Sequence, residues 1–243
     1  MSTPEHELTF VRHGQGSFFA GDYDQLSPLG RHQAGLLGHY WGRNNFRIEA
    51  VFSGPRARQT RTAQIAGERF TASGECWPEV QVIEELDEFP FQEILDLLLP
   101  PFLELHPERG PLARQLHQSQ SREEALAAFK PLFENLCQAW VAGRIAHPRV
   151  ESWPSFARRV RRGLQRVLAL CDGSVGEKVV FTSGGPIAVA VQAALALPDH
   201  EVLPLAWRIH NSAFCRLAYA TRWSLRSYNE IPHISEGEWI TDI

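Results

Sequence analysis

A short strand-like run followed at once by two reactive side chains constrains this sequence more than any other feature. Residues 8–11 read Leu-Thr-Phe-Val, and Arg12, His13 and Gly14 come directly after them, with a second glycine at position 16. This pattern predicts a buried strand followed by a tight loop. Because ligands of open α/β sheets bind at the carboxyl ends of the strands, it places a guanidinium and an imidazole where an anion can bind.

Strand and helix signals then alternate along the first third of the chain. Ser27 and Pro28 predict the start of a helix, because serine can accept hydrogen bonds from the free amides of a first turn and proline needs no donor there. That helix should run to about Arg43. Strands are predicted at 48–53 and within 79–83, with a helix between them. Two strand-helix units in succession indicate parallel strands joined by right-handed crossovers.

The middle of the chain lacks strand patterns, and we expect residues of about 89–150 to be a helical lid inserted into the domain. The predicted parts are a helix at 94–99 ended by Pro100 and Pro101, a polar and mobile segment at 104–121, and a helix at 122–141 with apolar residues at three- and four-residue spacing.

The last third predicts a return to the sheet. An amphipathic helix at 151–171 has an arginine-rich face, which we interpret as solvated because it has no interleaved aromatic residues. A strand at 178–182 precedes a Ser-Gly-Gly-Pro turn and an apolar helix at 187–197. Two antiparallel strands follow, at 213–219 and 224–228. We therefore predict one α/β domain over residues 1–243, a three-layer α/β/α sandwich with a mostly parallel sheet and an antiparallel edge.

Composition limits the classes of function. The formal charge of the 243 residues is -4, so no overall field attracts nucleic acid or an anionic membrane. The N-terminus lacks the pattern of a signal peptide, and the four cysteines lie at least 34 residues apart with no Cys-x-x-Cys pair. We expect a cytoplasmic protein with reduced thiols and no metal or cofactor. The sequence carries no feature that sets the number of subunits.

Three separate pieces should meet at the strand ends and form a phosphate pocket. They are Arg12 with His13, Arg58 after the second strand, and the turn that contains Ser183 and Gly184. Two guanidinium groups can bind one phosphoryl group, and a helix N-terminus offers free amides to the same anion. A neutral imidazole in such a pocket is a nucleophile for phosphorus. The leaving oxygen needs a proton, and the acidic segment 84–88 is the best placed source.

These pieces, in this order, resemble the histidine phosphatase superfamily, which includes the cofactor-dependent phosphoglycerate mutases. The resemblance covers residues of about 6–233, and its matching pieces are Arg12-His13-Gly14, the Leu-Ser-Pro-Leu-Gly at 26–30, Arg58 with Thr62-Ala63, the acidic segment 84–88, and Gly184-Gly185 after a strand. It implies that His13 is the phosphorylated nucleophile and that Arg12 and Arg58 clamp the phosphate. It also implies that Glu88, which precedes an aromatic residue, is the proton donor, with Glu85 as the alternative.

The sequence departs from the superfamily pattern at two positions. Members usually carry a second histidine just before the paired glycines, where this chain has Ser183, a donor to phosphate without positive charge. Many members have an asparagine where this chain has Phe19. Gln15 and Ser17 are candidates to replace that contact, and each is equally compatible with a plain loop.

The function expected from the residues and the resemblance is metal-independent hydrolysis of a small phosphorylated metabolite through a phosphohistidine. Two alternatives stay open at this point. One is a catalytically weak phosphate-binding or interaction module that has kept the arginine clamp, and the other is a phosphotransferase like the phosphoglycerate mutases.

Overall fold

The structure, a computed structural model, describes residues 6–17, 24–171 and 176–242. Its strands are β1 (His6–Arg12), β2 (Ile48–Ser53), β3 (Val80–Val82), β4 (Glu177–Thr182), β5 (Phe214–Tyr219) and β6 (Trp223–Glu230). They form one sheet in the order β3-β2-β4-β1-β5-β6. The pairs from β3 to β1 are parallel, while β5 is antiparallel to both β1 and β6. The predicted α/β fold, with a mostly parallel sheet and an antiparallel edge, is confirmed.

The helices connect these strands. They are α1 (Pro28–Arg43), α2 (Ala57–Thr71), α3 (Phe91–Leu105), α4 (Gly110–Gln118), α5 (Arg122–Val141), α6 (Trp153–Leu170), α7 (Gly184–Leu195) and α8 (Val202–Ala206). The first begins as the sequence predicts, since the Ser27 hydroxyl accepts a hydrogen bond from the Gly30 amide at 3.0 Å and Pro28 is the first helical residue. In the part of the chain that the structure describes, no helix is long and apolar enough to span a bilayer.

The sheet is buried on both faces, as parallel sheets require. Alternate strand residues, among them Val11, Val51 and Phe181, share one buried cluster with Trp41 of α1 and Phe70 of α2. The intervening strand residues Phe10, Phe52 and Val180 are fully buried as well. Since side chains alternate between the faces of a strand, both faces lie under packed side chains. This packing fixes the positions of the strand ends relative to one another, and the candidate site lies at those ends.

The chain divides into two compact units, Met1–Glu88 with Arg158–Ile243, and Phe89–Ala157. The first holds the sheet. The second holds α3, α4 and α5 and packs through aromatic rings: Phe91 lies 4.8 Å from Phe133 between ring centroids, and Trp140 lies 5.7 Å from Trp153. The expectation that about 89–150 forms a lid within a single domain stays a prediction.

One prediction in the helical unit is wrong, and another is untested. The helix predicted to end at Pro100 and Pro101 continues to Leu105, because both prolines are exposed while Ile94, Leu98 and Phe102 form one buried face. Packing of that face outweighs the two missing amide donors. The segment 104–121 contains α4, and its predicted mobility stays a prediction. The second residue of this helix is a proline, which the first turn of a helix accepts without losing a hydrogen bond.

The start of α7 also differs from the prediction. The paired glycines were expected in a turn before the helix, but α7 begins at Gly184, with Ser183 as an extended cap residue. Pro186 sits in the first helical turn, where its missing amide costs nothing. Ser183 therefore marks the boundary between β4 and α7, and the glycines supply the first amides of the helix.

Candidate active site

His13 lies at the carboxyl end of β1 with only 4% of its surface exposed. Its Nδ1–H donates to the Gly14 carbonyl at 2.7 Å, and its Nε2 accepts from Nε of Arg58 at 3.0 Å. These partners assign the neutral tautomer with the lone pair on Nε2. The pKa of His13 lies well below its ordinary value because of burial first, then the positive charges of Arg58 and Arg12. The imidazole is thus neutral at neutral pH and able to act as a nucleophile through Nε2.

Arg58 is held by an aspartate that sequence reasoning missed. One carboxylate oxygen of Asp24 pairs with Nη1 of Arg58 at 2.8 Å, and the other accepts from the Ala57 amide at 2.8 Å. Asp24 therefore caps the start of α2 and fixes the guanidinium that contacts His13. A carboxylate in a turn-rich loop gave no signal of this double role, because it depends on a partner more than thirty residues away.

Arg12 is fixed by the C-terminal part of the chain. Its guanidinium donates to the carbonyl oxygen of Ile209 and, at 2.9 Å, to that of Asp242. Asn211 connects His13 to the same C-terminal part of the chain. Its side-chain amide donates to the His13 carbonyl at 3.3 Å, and its backbone amide donates to the Thr241 carbonyl at 2.7 Å. Main-chain acceptors have no side-chain signature, so the sequence could not reveal this support.

The two candidate acids differ in what they contact. An Oε2 oxygen of Glu88 accepts from the Gly185 amide at 3.2 Å, in the first turn of α7 and two residues from Ser183. The carboxylate of Glu85 pairs instead with Nη1 of Arg166 in α6, at 3.2 Å. The structure thus brings Glu88, and not Glu85, to the helix terminus that follows β4.

The loop that carries Glu88 is tied down through its main chain. Nη1 of Arg159 donates to the carbonyls of Glu85 and Asp87 at 3.0 Å, and its Nη2 donates to that of Glu88 at 3.4 Å. Thr182, the last residue of β4, donates from its hydroxyl to the Leu86 carbonyl at 2.7 Å. Four consecutive carbonyls are satisfied in this way, so the acid-bearing loop is fixed against both β4 and α6.

A second arginine at the start of α2 contacts the same loop. Arg56 Nε lies 2.5 Å from a carboxylate oxygen of Asp87. Burial by itself would lower the pKa of Arg56. The hydrogen bond to Asp87 and the nearby negative charges outweigh burial, so the pKa of Arg56 is raised overall. Those charges belong to Asp87, Asp24 and Glu88. Arg56 is therefore a permanent positive charge among the carboxylates of the site, and sequence reasoning did not single it out.

Ser183 and Gly184 lie where β4 meets α7. Ser183 is fully buried, and its hydroxyl oxygen accepts from the side-chain amide of Gln59 at 2.7 Å. A side chain at Gly184 would place its Cβ 3.0 Å from the Ala206 carbonyl oxygen, a tight contact that favours glycine there. Since β1 and β4 are parallel neighbours with Arg12 opposite Thr182, Ser183 and His13 follow that pair at one edge of the sheet.

The two residues considered as replacements for a missing asparagine contact the segment around α1. The side chain of Gln15 accepts from the Ser27 hydroxyl at 2.8 Å, and its backbone amide donates to Gln33 at 2.8 Å. The backbone amide of Ser17 donates to the Gln25 carbonyl at 2.8 Å. Their roles in phosphate binding stay predictions, and Phe19 lies outside the described residues.

The described part of the chain has no candidate metal centre. Within 6–17, 24–171 and 176–242, no three or more His, Cys, Asp or Glu side chains are grouped so that they could hold a metal ion. The positive groups of the site are arginines. What this arrangement can do chemically is bind a phosphoryl group by guanidinium groups and attack it with an imidazole.

The fold is an α/β fold with a mostly parallel sheet, and an imidazole and two arginines lie at the ends of its strands. The chain belongs to the histidine phosphatase superfamily (branch 1), whose family model matches residues 8–130 and 116–231. A comparison with curated proteins found no match.

Solved structures of two phosphatases and of a further hydrolase share the fold. The mycobacterial glucosyl-3-phosphoglycerate phosphatase, in complex with inorganic phosphate, is 23% identical with a TM-score of 0.61, over 95% of this chain and 100% of that one. A mutant phosphoserine phosphatase from Entamoeba histolytica, in complex with phosphoserine, is 18% identical with a TM-score of 0.59, over 94% and 99%. Mycobacterial hydrolase 2 is 22% identical with a TM-score of 0.63, over 97% and 95%.

Proposed function

We propose that this protein hydrolyses small phosphomonoesters through a phosphohistidine at His13, without a metal ion. The observation that carries the proposal is the state of His13: a buried neutral imidazole whose unprotonated Nε2 lies 3.0 Å from Nε of Arg58. Burial first, and then the charges of Arg58 and Arg12, lower its pKa, so the groups that attract a phosphate also help to keep the nucleophile unprotonated.

In the first step, the lone pair of His13 Nε2 attacks phosphorus, and the bond from phosphorus to the ester oxygen breaks. The Nε–H of Arg58, which points at Nε2 in the free protein, moves to a phosphoryl oxygen, and Arg12 binds a second one. Glu88, protonated at this stage, gives its proton to the leaving oxygen. Charge that develops on the phosphoryl oxygens is stabilised by donors already in place.

In the second step, the Glu88 carboxylate accepts a proton from water as the water oxygen attacks phosphorus. The bond from phosphorus to Nε2 breaks and its electron pair returns to the imidazole. Inorganic phosphate leaves, and Glu88 is again protonated for the next turnover. One carboxyl group thus serves as acid and then as base.

The relatives support a small phosphorylated metabolite as substrate. Two of the similar structures are phosphatases of phosphorylated small molecules, one solved with phosphate and the other with phosphoserine. We also propose a reducing, cytoplasmic location. It is supported by the four cysteines Cys76, Cys137, Cys171 and Cys215, which are all free thiols.

The experiment is hydrolysis of p-nitrophenyl phosphate with EDTA present, combined with rapid quenching during turnover. We expect activity unaffected by EDTA and a phosphorylated protein that is labile in acid and stable in base, as phosphohistidine is. A panel of phosphorylated metabolites then identifies the substrate. Phosphate binding without turnover would instead show a binding module, and transfer of the phosphoryl group to a second metabolite in preference to water would show a phosphotransferase.

A further inference from the structure

Consecutive residues in the first turn of α2 contact the ends of two neighbouring strands. Arg58 donates to His13, which follows β1, and Gln59 donates from Nε2 to the hydroxyl of Ser183, which follows β4. Because β1 and β4 are adjacent and parallel, both contacts lie at the same edge of the sheet. One helical turn therefore fixes the proposed nucleophile and the serine beside it.

The direction of the Gln59 side-chain amide is set by the backbone. Its oxygen accepts from the Arg56 amide at 3.1 Å, so its nitrogen is the end that faces Ser183 at 2.7 Å. The Gln59 side chain is fully buried, and a Cβ at Gly54 would come within 2.3 Å of its oxygen, so the amide fits closely. An amide nitrogen only donates, and the Ser183 oxygen must therefore accept.

The hydrogen of the Ser183 hydroxyl is left for another acceptor. A hydroxyl has a single hydrogen, and the bond from Gln59 uses an oxygen lone pair. In the ranges that the structure describes, the Ser183 side chain makes no second hydrogen bond. Ser183 is also the cap residue of α7, whose amides and dipole favour an anion at this position.

We infer that Gln59 is a positioning residue that turns the hydroxyl hydrogen of Ser183 towards the phosphoryl group bound at His13. The inference takes the phosphohistidine reaction proposed above as its premise. Negative charge on the phosphoryl oxygens grows in the transition state, and a hydrogen already directed at them stabilises that state without reorganisation. The chain from the Arg56 amide through Gln59 to Ser183 polarises the donor, because linked hydrogen bonds strengthen one another.

The test is Gln59→Glu, which keeps the size of the side chain and can still accept from the Arg56 amide. An ionised carboxylate only accepts, so the Ser183 hydrogen would turn to it and away from phosphate. We expect kcat for a phosphomonoester to fall by about ten- to a hundred-fold at alkaline pH. The loss should shrink at acidic pH, where the introduced carboxyl group regains a hydrogen to donate to Ser183.

Ser183→Ala separates this mechanism from simple charge repulsion. It should cause a loss of similar size, and adding Gln59→Glu to Ser183→Ala should then change kcat little, because both variants remove one contact. Additive losses would mean that the carboxylate acts on the phosphate directly, and would overturn the inference. If Gln59→Glu does not fold, Gln59→Met, which removes the donor without burying a charge, takes its place in the same cycle with the same expected non-additivity.

The premise and the inference fail in different ways. If His13→Ala still hydrolyses the ester, the phosphohistidine reaction is wrong and the inference falls with it. If His13→Ala is inactive while Ser183→Ala keeps full kcat, the reaction stands and only the role of the Gln59–Ser183 pair is overturned.

Discussion

His13 and His233 are both buried imidazoles with lowered pKa values, yet their surroundings differ in kind. Burial alone lowers the pKa of His233 to about 4. Its Nε2 pairs with the Ser212 hydroxyl at 2.8 Å, and its ring stacks on Phe214 at 6.3 Å between centroids. At His13, burial is joined by the charges of Arg58 and Arg12. A neutral buried imidazole is therefore not a functional signal in itself, and the cations around it make the difference.

Ser212 links the two histidines. Its hydroxyl pairs with His233, and its backbone amide donates to the His13 carbonyl at 3.2 Å. Ser212 also adopts a left-handed φ of 59°, a conformation that costs a non-glycine residue energy and needs support from its surroundings. We interpret His233 as part of that support. The comparison then separates the imidazole that we propose to react from one that we interpret as support for the backbone behind it.

The largest expected effect is on turnover, which should depend on His13 and hardly on His233. His13→Ala should lower kcat by about a thousand-fold or more, since the nucleophile is lost. His233→Gln, the matched control, keeps a hydrogen-bonding side chain for Ser212 and should retain kcat within about ten-fold. Measuring both with p-nitrophenyl phosphate checks the contrast, and equal losses in the two variants would erase it.

The second effect concerns the acid, which only the His13 region needs. Glu88→Gln should slow esters with poor leaving groups by about a hundred-fold and p-nitrophenyl phosphate far less, because nitrophenolate leaves without a proton. Glu85→Gln is the control, since its contact is Arg166 in α6. The roles must be exchanged if Glu85→Gln alone shows the dependence on leaving group.

These two predictions also show how far local sequence patterns reach. A run such as residues 8–13 contains both the strand and the groups that follow it, so β1, Arg12 and His13 could be predicted together. The acidic segment 84–88 was a candidate because it follows the third predicted strand, and Glu88 was preferred within it only because a glutamate before an aromatic residue resembles the superfamily pattern. Asp24, Gln59 and the carbonyls of Ile209 and Asp242 could not be predicted, because each acts through a partner far away in sequence.

The fold shows the same limit. The capped start of α1 and the strand β4 each depend on residues that are consecutive in the sequence, and both were predicted correctly. The continuation of α3 through Pro100 and Pro101 was not predicted, because the local helix propensity of proline opposes a helix there. Burial of Ile94, Leu98 and Phe102 decides in favour of the helix, and burial is a property of the folded unit.

A smaller effect is expected from the support of Glu88. Arg159→Met removes the guanidinium that binds the carbonyls of Glu85, Asp87 and Glu88, while it keeps an apolar stem of similar length. We expect kcat to fall by about ten-fold for poor leaving groups, with unfolding easier by about 1–3 kcal/mol. Arg162→Met, on an exposed position of the same helix, is the control. If both variants behave alike, Arg159 has no special part in holding the acid.

The last expected effect is on the pH dependence of stability and not on turnover, and it isolates His233 from catalysis. Its pKa is about 4 in the folded state and about 6.5 in the unfolded chain, so between these values the unfolded state binds the extra proton. The contribution of His233 to the free energy of unfolding should be fully present above about pH 6.5. As the pH drops towards 4, this residue alone should lower the free energy of unfolding by about 1.4 kcal/mol per pH unit. Denaturant unfolding across this range should show that the free energy of unfolding falls less steeply with acid in His233→Gln than in the unsubstituted protein.

The part of the slope that remains after the substitution contains the contribution of His13, whose pKa is lowered as well. An unchanged slope in His233→Gln would mean that His233 is already protonated in the folded protein over this range. His13 and His233 would then not both be neutral buried imidazoles, and the comparison between them would fail.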